Sequence, residues 1–152
     1  MSQIASAYGL SSEELGCDAE LFRKCAYAAF WERLRRHEIG PPFEHSGSVI
    51  DVVGEFLRER GIPLPVSSSA PGIDAFAAEG SVVACASPPE AAAAHRAIGE
   101  LSAGDPELTA YWQDWTGDQD AQAADLMRAG LNWLQQVLQA GRSHEWVVVW
   151  VG

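Results

Sequence analysis

Apolar side chains recur along this chain at two spacings, which separate the predicted helices from the predicted strands. The clearest stretch follows Ser48, where apolar residues fall at the spacing of a helix face that packs into a core: Val49, Val52, Val53, Phe56 and Leu57. We expect Ser48 to cap this helix at its start and Gly61 to end it.

Capping residues also mark helices in the first part of the chain. Ser11 and Glu14 fit a capping box, in which each side chain satisfies a free backbone donor of the other residue. Gly16 is expected to close this short turn. Asp18 then caps a longer helix that runs to about His37.

Three more helices are predicted in the second half of the chain. The first starts at Ser87, where Pro88 and Glu90 occupy the positions that favour a helix start. The second opens at Asp105, and the third covers about residues 119–140. The segment 62–80 that precedes them is rich in proline and serine. It predicts a long connection, with a short strand or turn near Val66 or at residues 73–76.

Three short apolar segments predict strands, at residues 3–8, 81–86 and 146–151. The last of them, WVVVWV, is apolar on both faces, so we expect it at the centre of the sheet, covered on both sides. No internal repeat or domain boundary is visible. The pattern predicts a single α+β domain over residues 1–152, a small mixed sheet with several helices packed on it.

The charge of the chain is acidic and unevenly distributed. The sequence has 21 acidic and 10 basic residues, a net charge of −11, and only Arg96 is basic between Asp74 and Asp125. Such a potential repels nucleic acids and anionic membranes and attracts basic proteins. An acidic surface also keeps a cytosolic protein in solution, so both explanations stay open.

The compartment is predicted from what the sequence lacks. The N-terminal residues show no basic n-region and no apolar run of signal-peptide length, and WVVVWV is too short to cross a bilayer. Three cysteines without C-x-x-C spacing are expected to be reduced, and buried or semi-buried: Cys17, Cys25 and Cys85. These features predict a cytoplasmic protein with no membrane partner.

The stretch YWQDWTGDQDAQAAD, residues 111–125, joins three aromatic rings to four aspartates. Read as a calcium loop that begins at Asp114, it has Gln119 where a glycine is needed and Asp125 where a glutamate is needed. We therefore expect no metal here. The histidines and cysteines have no zinc-site spacing either.

A helix-to-helix connection explains part of this stretch. Thr116 with Gln119 is a candidate capping box for the last helix, and Asp118 and Asp120 would lie where that helix favours negative charge. Such a connection does not explain why aromatic rings and carboxylates lie so close together in this stretch. A ring exposed among acids would bind a Lys- or Arg-rich protein surface. The predicted partner-binding residues are Trp112, Asp114, Trp115, Asp118 and Asp120.

No catalytic signature is present, and no P-loop or dinucleotide motif implies a cofactor. The best alternative site is Glu44, His45 and Ser48, which precede a predicted helix start where free N–H groups can bind an anion. A polar turn that ends in the Ser48 cap explains the same residues. This site would make the protein a small-ligand-binding or hydrolytic enzyme domain.

Three stretches together resemble the YfbM-like family: LSSEEL after the first strand, SVVACASPPEAAAAHRAI, and the closing WLQQVLQAGRSHEWVVVWV. The likeness covers about half of the chain, and the segment 19–80 departs from the family pattern. The resemblance implies a small cytosolic bacterial α+β domain without established catalytic residues. Domains of that kind often serve as immunity or accessory proteins of secreted toxins.

Charge, aromatic content and resemblance together favour a cytosolic protein-binding domain, such as an immunity-type inhibitor of a basic toxin or effector. The enzyme alternative rests on the Glu44 site. A third alternative is a homo-oligomer, formed through exposed aromatic area.

Overall fold

A three-stranded sheet lies at the centre of the structure, a computed structural model that describes residues 3–152. Its strands are β1 (Ala5–Leu10), β2 (Ser81–Ala86) and β3 (Trp146–Val151). Their order is β1-β3-β2, and β3 pairs antiparallel with both neighbours. In the described part of the chain the one parallel pairing is an isolated bridge between Val66 and Cys85.

The central position of β3 follows from its alternating side chains. Val147, Val149 and Val151 pack into the core on one face, and Trp146 and Trp150 pack with Val148 into the core on the other. All six residues of β3 are buried. The prediction of a central strand covered on both sides is therefore confirmed.

Seven helices within residues 3–152 cover the two faces of the sheet. They are α1 (Ser12–Arg23), α2 (Tyr27–Arg35), α3 (Ser48–Glu59), α4 (Ile73–Ala77), α5 (Pro88–Glu100), α6 (Asp105–Thr116) and α7 (Ala123–Ala140). Helices α3, α5, α6 and α7 enclose the larger core cluster, and α1, α2 and α4 enclose the smaller one. The predicted α+β class is confirmed, but the three strands form an antiparallel sheet instead of a mixed one.

Of the two predicted capping boxes, that at Ser11 forms only in part and that at Ser87 is confirmed. The hydroxyl of Ser11 accepts a hydrogen bond from the backbone N–H of Glu14 at 3.1 Å, which caps α1, but the side chain of Glu14 lies against His37 instead of returning to Ser11. At the start of α5, the backbone N–H of Ser87 donates to Glu90 at 3.1 Å within a complete capping box. The connection 62–80 contains a bridge at Val66, as predicted, and the short helix α4 at Ile73–Ala77, where a strand or turn was expected.

The predicted position of the break between the first two helices is wrong. Helix α1 runs through Gly16 and Asp18 to Arg23, and the break falls at Cys25, whose φ of 56° is positive. Asp18 is not a cap, because its buried side chain pairs with Arg33 of α2. The first strand also starts and ends two residues later than predicted, at Ala5–Leu10.

The cysteine prediction is confirmed only for Cys85, which is fully buried. Cys17 and Cys25 are exposed, and all three thiols are free. Cys17 lies on the outer side of α1, a position that its apolar sequence neighbours do not reveal. None of the helices within residues 3–152 is both long enough and apolar enough to span a membrane.

Candidate functional site

The connection between α6 and α7 is held by one threonine and one glycine. The hydroxyl of Thr116 donates to the carbonyl of Trp112 at 2.8 Å and accepts from the backbone N–H of Asp118 at 3.0 Å. Gly117 has a φ of 75°, and its N–H donates to the carbonyl of Gln113 at 2.8 Å. We call residues 111–125 the α6–α7 junction.

The predicted capping box at this junction does not form. Helix α7 begins at Ala123 instead of 119, and no side chain caps it. Thr116 is engaged at the end of α6, so its hydroxyl is not available to the start of the next helix. Gln119 lies in the extended connection between the two helices.

The junction exposes one aromatic ring and buries another. Trp115 is 50 % exposed, whereas Trp112 is 8 % exposed and belongs to the core. Tyr111 packs its ring edge-on against Phe56 of α3, at 5.1 Å between centroids. The spacing of Leu108, Tyr111, Trp112 and Trp115 on α6 predicts that all four face inward, and for Trp115 this prediction is wrong. Trp112 was predicted to contact a partner, but its ring is buried in the core beneath the junction.

Two of the predicted acidic residues flank this exposed ring along the chain. Asp114 and Asp118 are exposed, and Asp120 is partly buried. Within residues 3–152, no lysine, arginine or histidine forms an ion pair with the carboxylates of the junction. By contrast, both acids at the start of α6 are neutralised: Asp105 by Arg128 and Glu107 by Arg60.

Local structure accounts for two of the four junction carboxylates. Asp120 accepts a hydrogen bond from the backbone N–H of Gln122 at 2.8 Å, and Asp125 lies in the first turn of α7, where the helix dipole stabilises it. Asp114 lies near the end of α6, where the dipole is unfavourable to negative charge. The carboxylates of Asp114 and Asp118 are thus the two without a structural role.

Tyr111, the first residue of the junction, lies close to a carboxylate of α3. Burial raises the pKa of Tyr111 to about 12, and the nearby carboxylate of Glu59 raises it in the same direction. The hydroxyl of Tyr111 is buried near the carboxylate of Glu59, but no described residue makes a hydrogen bond of good geometry with it. It therefore stays protonated and neutral at physiological pH.

The alternative site is only partly assembled. Glu44 and His45 line an open cavity of about 280 Å³ between the 41–45 segment and α7, and the His45 ring packs edge-on against Phe43 at 5.5 Å. Ser48 is not in the lining of this cavity. Its hydroxyl instead lies 3.0 Å from that of Ser46.

The prediction that Ser48 caps α3 is wrong. Ser48 is the first helical residue, and Gly47 occupies the capping position without a side chain. The N–H of Gly47 donates to the carbonyl of Gln3 at 2.9 Å, which holds this position against β1. A Cβ at Gly47 would lie 2.8 Å from the backbone of Ile4, so the position has no room for a capping side chain.

An ionic cluster around the buried carboxylate of Asp18 joins α1 to α2 and the residues just after it, and we did not predict it. Arg33 donates to the carboxylate of Asp18 at 2.9 Å, and His37 lies 2.9 Å from Glu14. Burial raises the pKa of Asp18 against the opposing effect of Arg33. The signal in the sequence was the shared spacing: two acids lie four residues apart on α1, and two basic side chains lie four residues apart, one on α2 and one just after it.

Among residues 3–152, no three or more histidine, cysteine, aspartate or glutamate side chains come together in a group that could hold a metal ion. The chain matches no protein-family model, and no curated protein and no solved structure shows significant similarity to it. The resemblance to the YfbM-like family therefore stays a prediction.

Proposed function

We propose that this protein binds a basic protein partner through the α6–α7 junction, with Trp115 as the anchor and Asp114 and Asp118 as the acidic rim. The observation that carries the proposal is the half-exposed indole of Trp115 beside two exposed carboxylates that have no ion-pair partner among residues 3–152. Tryptophan is among the residues that contribute most to binding energy in interfaces. Unpaired surface charge of one sign steers an oppositely charged partner toward it.

The junction is also rigid enough to present this surface. The hydrogen bonds of Thr116 and the left-handed turn at Gly117 fix the end of α6, and the buried ring of Trp112 anchors it to the core. A preorganised anchor loses little conformational freedom on binding. Asp120 adds charge to the rim while it caps a turn of its own.

We further propose that the partner is a toxin or effector and that this protein is its cytoplasmic inhibitor. The resemblance to the YfbM-like family and the acidic second half of the chain support this role. Steering matters for such an inhibitor, because it must associate with its target quickly at low concentration. The ligand-binding alternative has weaker support, since Ser48 lies outside the cavity that Glu44 and His45 line.

The test compares two charge-reversed variants of equal net charge. Basic proteins captured from the native host by the immobilised wild-type protein are purified and titrated with Asp114→Lys/Asp118→Lys and with Glu79→Lys/Glu100→Lys. The control residues are exposed, unpaired among the described residues, and in the same acidic half. We expect the junction variant to lose the fast, salt-sensitive association and the control variant to keep most of it.

A second pair of variants tests the anchor. Trp115→Ala is expected to weaken binding by about 2 kcal/mol, roughly 30-fold, with little change in the stability of the free protein. Tyr27→Ala removes a 43 % exposed ring from α2 and is expected to leave binding unchanged. Equal losses in both members of either pair would contradict a site at the junction.

A further inference from the structure

The outer edge of β1 is covered at its centre by another segment of the chain. On β1, the N–H of Gly9 donates to the carbonyl of His37 and the N–H of Ile39 donates to the carbonyl of Ala7, both at 2.9 Å. An irregular segment thus closes that edge. Covering an edge in this way prevents other chains from pairing with it.

The edge of β2 is covered only near its end. The N–H of Cys85 donates to the carbonyl of Pro65 at 2.7 Å, and the N–H of Ser67 donates to the carbonyl of Cys85 at 3.0 Å. Nothing similar protects Ser81–Val83: within residues 3–152 their backbone forms no hydrogen bond outside the strand ladder. Ser81 is exposed, and the two valines are partly buried.

A cavity of about 160 Å³ opens beside this uncovered edge. Its lining combines α3, the 63–64 segment and the edge itself: Asp51, Gly54, Glu55, Arg58, Pro63, Leu64, Ser81, Val82 and Val83. Helix α3 comes close here, since a Cβ at Gly54 would lie 3.3 Å from the side chain of Val83. The pairing of β2 with β3 shifts register between Val82 and Ala84, and a bulge of this kind redirects a side chain.

The cavity carries one carboxylate that no cation neutralises. Glu55 pairs with Arg58, whereas Asp51 forms no ion pair among the described residues. Burial raises the pKa of Asp51, the hydroxyl of Ser81 lowers it through a hydrogen bond, and Glu55 raises it further. Asp51 is therefore a partly desolvated acid that a basic group would stabilise in its charged form.

We propose that an extended segment of a partner protein, carrying a lysine or arginine, pairs with the edge of β2 at Ser81–Val83 and places that basic side chain against Asp51. Backbone pairing supplies the docking, and the acid in the cavity selects the side chain. The site lies apart in sequence and in element from the α6–α7 junction, so the inference holds or fails independently of the proposed function.

Charge decides between a basic segment and a second copy of this chain. Two β2 edges paired with each other would bring two copies of Asp51 to the same interface, and each chain carries a net charge of −11. Like charges across a paired edge are destabilising. A segment that carries positive charge meets no such repulsion.

The probe is an acetylated, amidated peptide of sequence Thr-Lys-Val-Lys-Thr, added to the ¹⁵N-labelled full chain. We expect saturable shifts at millimolar peptide in the amide signals of Ser81, Val82 and Val83. Two control peptides are tested against the same unmodified protein. N-methylation of alternate peptide nitrogens removes the backbone donors, and glutamates in place of the lysines reverse the charge; each is expected to abolish the shifts.

Protein variants then separate this site from the junction. Asp51→Asn is expected to weaken peptide binding several-fold, and Trp115→Ala is expected to leave it unchanged. Equal binding of the N-methylated peptide, shifts confined to the Trp115 region, or no saturable shift in residues 81–83 would each overturn the proposal. None of these results would bear on binding at the junction, because that binding is measured with a different ligand.

Discussion

Replacement of Arg33 by methionine tests what the buried ion pair between α1 and α2 contributes. The side chain of Asp18 is 0 % exposed and that of Arg33 is 38 % exposed. Asp18 Oδ1 accepts from Arg33 at 2.9 Å, and Oδ2 is buried without a hydrogen-bond partner among the described residues. Without Arg33, the carboxylate would keep its burial and lose its one cation partner.

The expected loss of stability follows from this asymmetry. Removal of one partner of a fully buried ion pair costs about 3–5 kcal/mol. Because Arg33 is partly open to solvent, which screens its charge, we expect a loss of about 2 kcal/mol near neutral pH. For a chain of this size that corresponds to a decrease of about 4–8 °C in Tm.

The pH dependence gives the sharper result. Burial raises the pKa of Asp18 above its unfolded value, and Arg33 is the main group that opposes the rise. In Arg33→Met the folded pKa rises further. A group with a raised folded pKa stabilises the protein at low pH, and this contribution is lost as the pH rises through that pKa. The variant should therefore recover much of its deficit at about pH 5.

Urea unfolding of wild type, Arg33→Met and Asp18→Asn/Arg33→Met at both pH values checks this. The double variant carries no charge at position 18, so its deficit should be near 1 kcal/mol and vary less with pH than that of Arg33→Met. It keeps Glu14 and His37, the other titratable pair of the cluster, so their effects cancel in the comparison. A deficit of Arg33→Met that is equal at both pH values would refute an ionised, buried Asp18.

Three further substitutions and one thiol measurement test the packing. Gly130→Ala should destabilise the protein by about 1–2 kcal/mol, because its Cβ would lie 2.8 Å from the side chain of Val53. Gly16→Ala should stabilise α1 by about 0.5–1 kcal/mol, because no atom lies within 4 Å of the added Cβ. Thermal unfolding measures both changes. Tyr111→Phe should be neutral or slightly stabilising, since the lost hydroxyl is buried without a hydrogen bond of good geometry to any described residue; an unfolding loss above about 1 kcal/mol would contradict this. Thiol titration should find Cys85 unreactive until the protein unfolds, because burial raises its pKa to about 12, while the two exposed thiols react in the native state.

Features encoded within a few neighbouring residues could be predicted from the sequence. The capping box at Ser87, the apolar stripe of α3 and the two-sided character of WVVVWV all appear as predicted. Each depends on contacts between residues close in the chain or on a simple alternation. The α+β class followed from these elements together.

Features decided by contacts between distant segments could not be predicted. Gly16 does not end a helix, because the capped start at Ser11 and the burial of Asp18 against α2 hold α1 together beyond it. Gly47 replaces Ser48 at the capping position because β1 occupies the space beside it. The direction of Trp115 depends on how much of α6 the helices α3 and α7 cover, which its spacing from Trp112 does not reveal.

The strongest argument for function at the junction is that the acids at the two ends of α6 differ in whether they have ion-pair partners. At its start, where the helix dipole already favours negative charge, Asp105 and Glu107 each also have an arginine partner. Near its end, where the dipole disfavours negative charge, Asp114 has none and lies beside an exposed indole. If stability alone were selected, the arginine partners would be expected near the end of α6, where negative charge is unfavourable. Because proteins retain locally unfavourable groups chiefly where function needs them, this reversal is better explained by a cationic partner than by solubility.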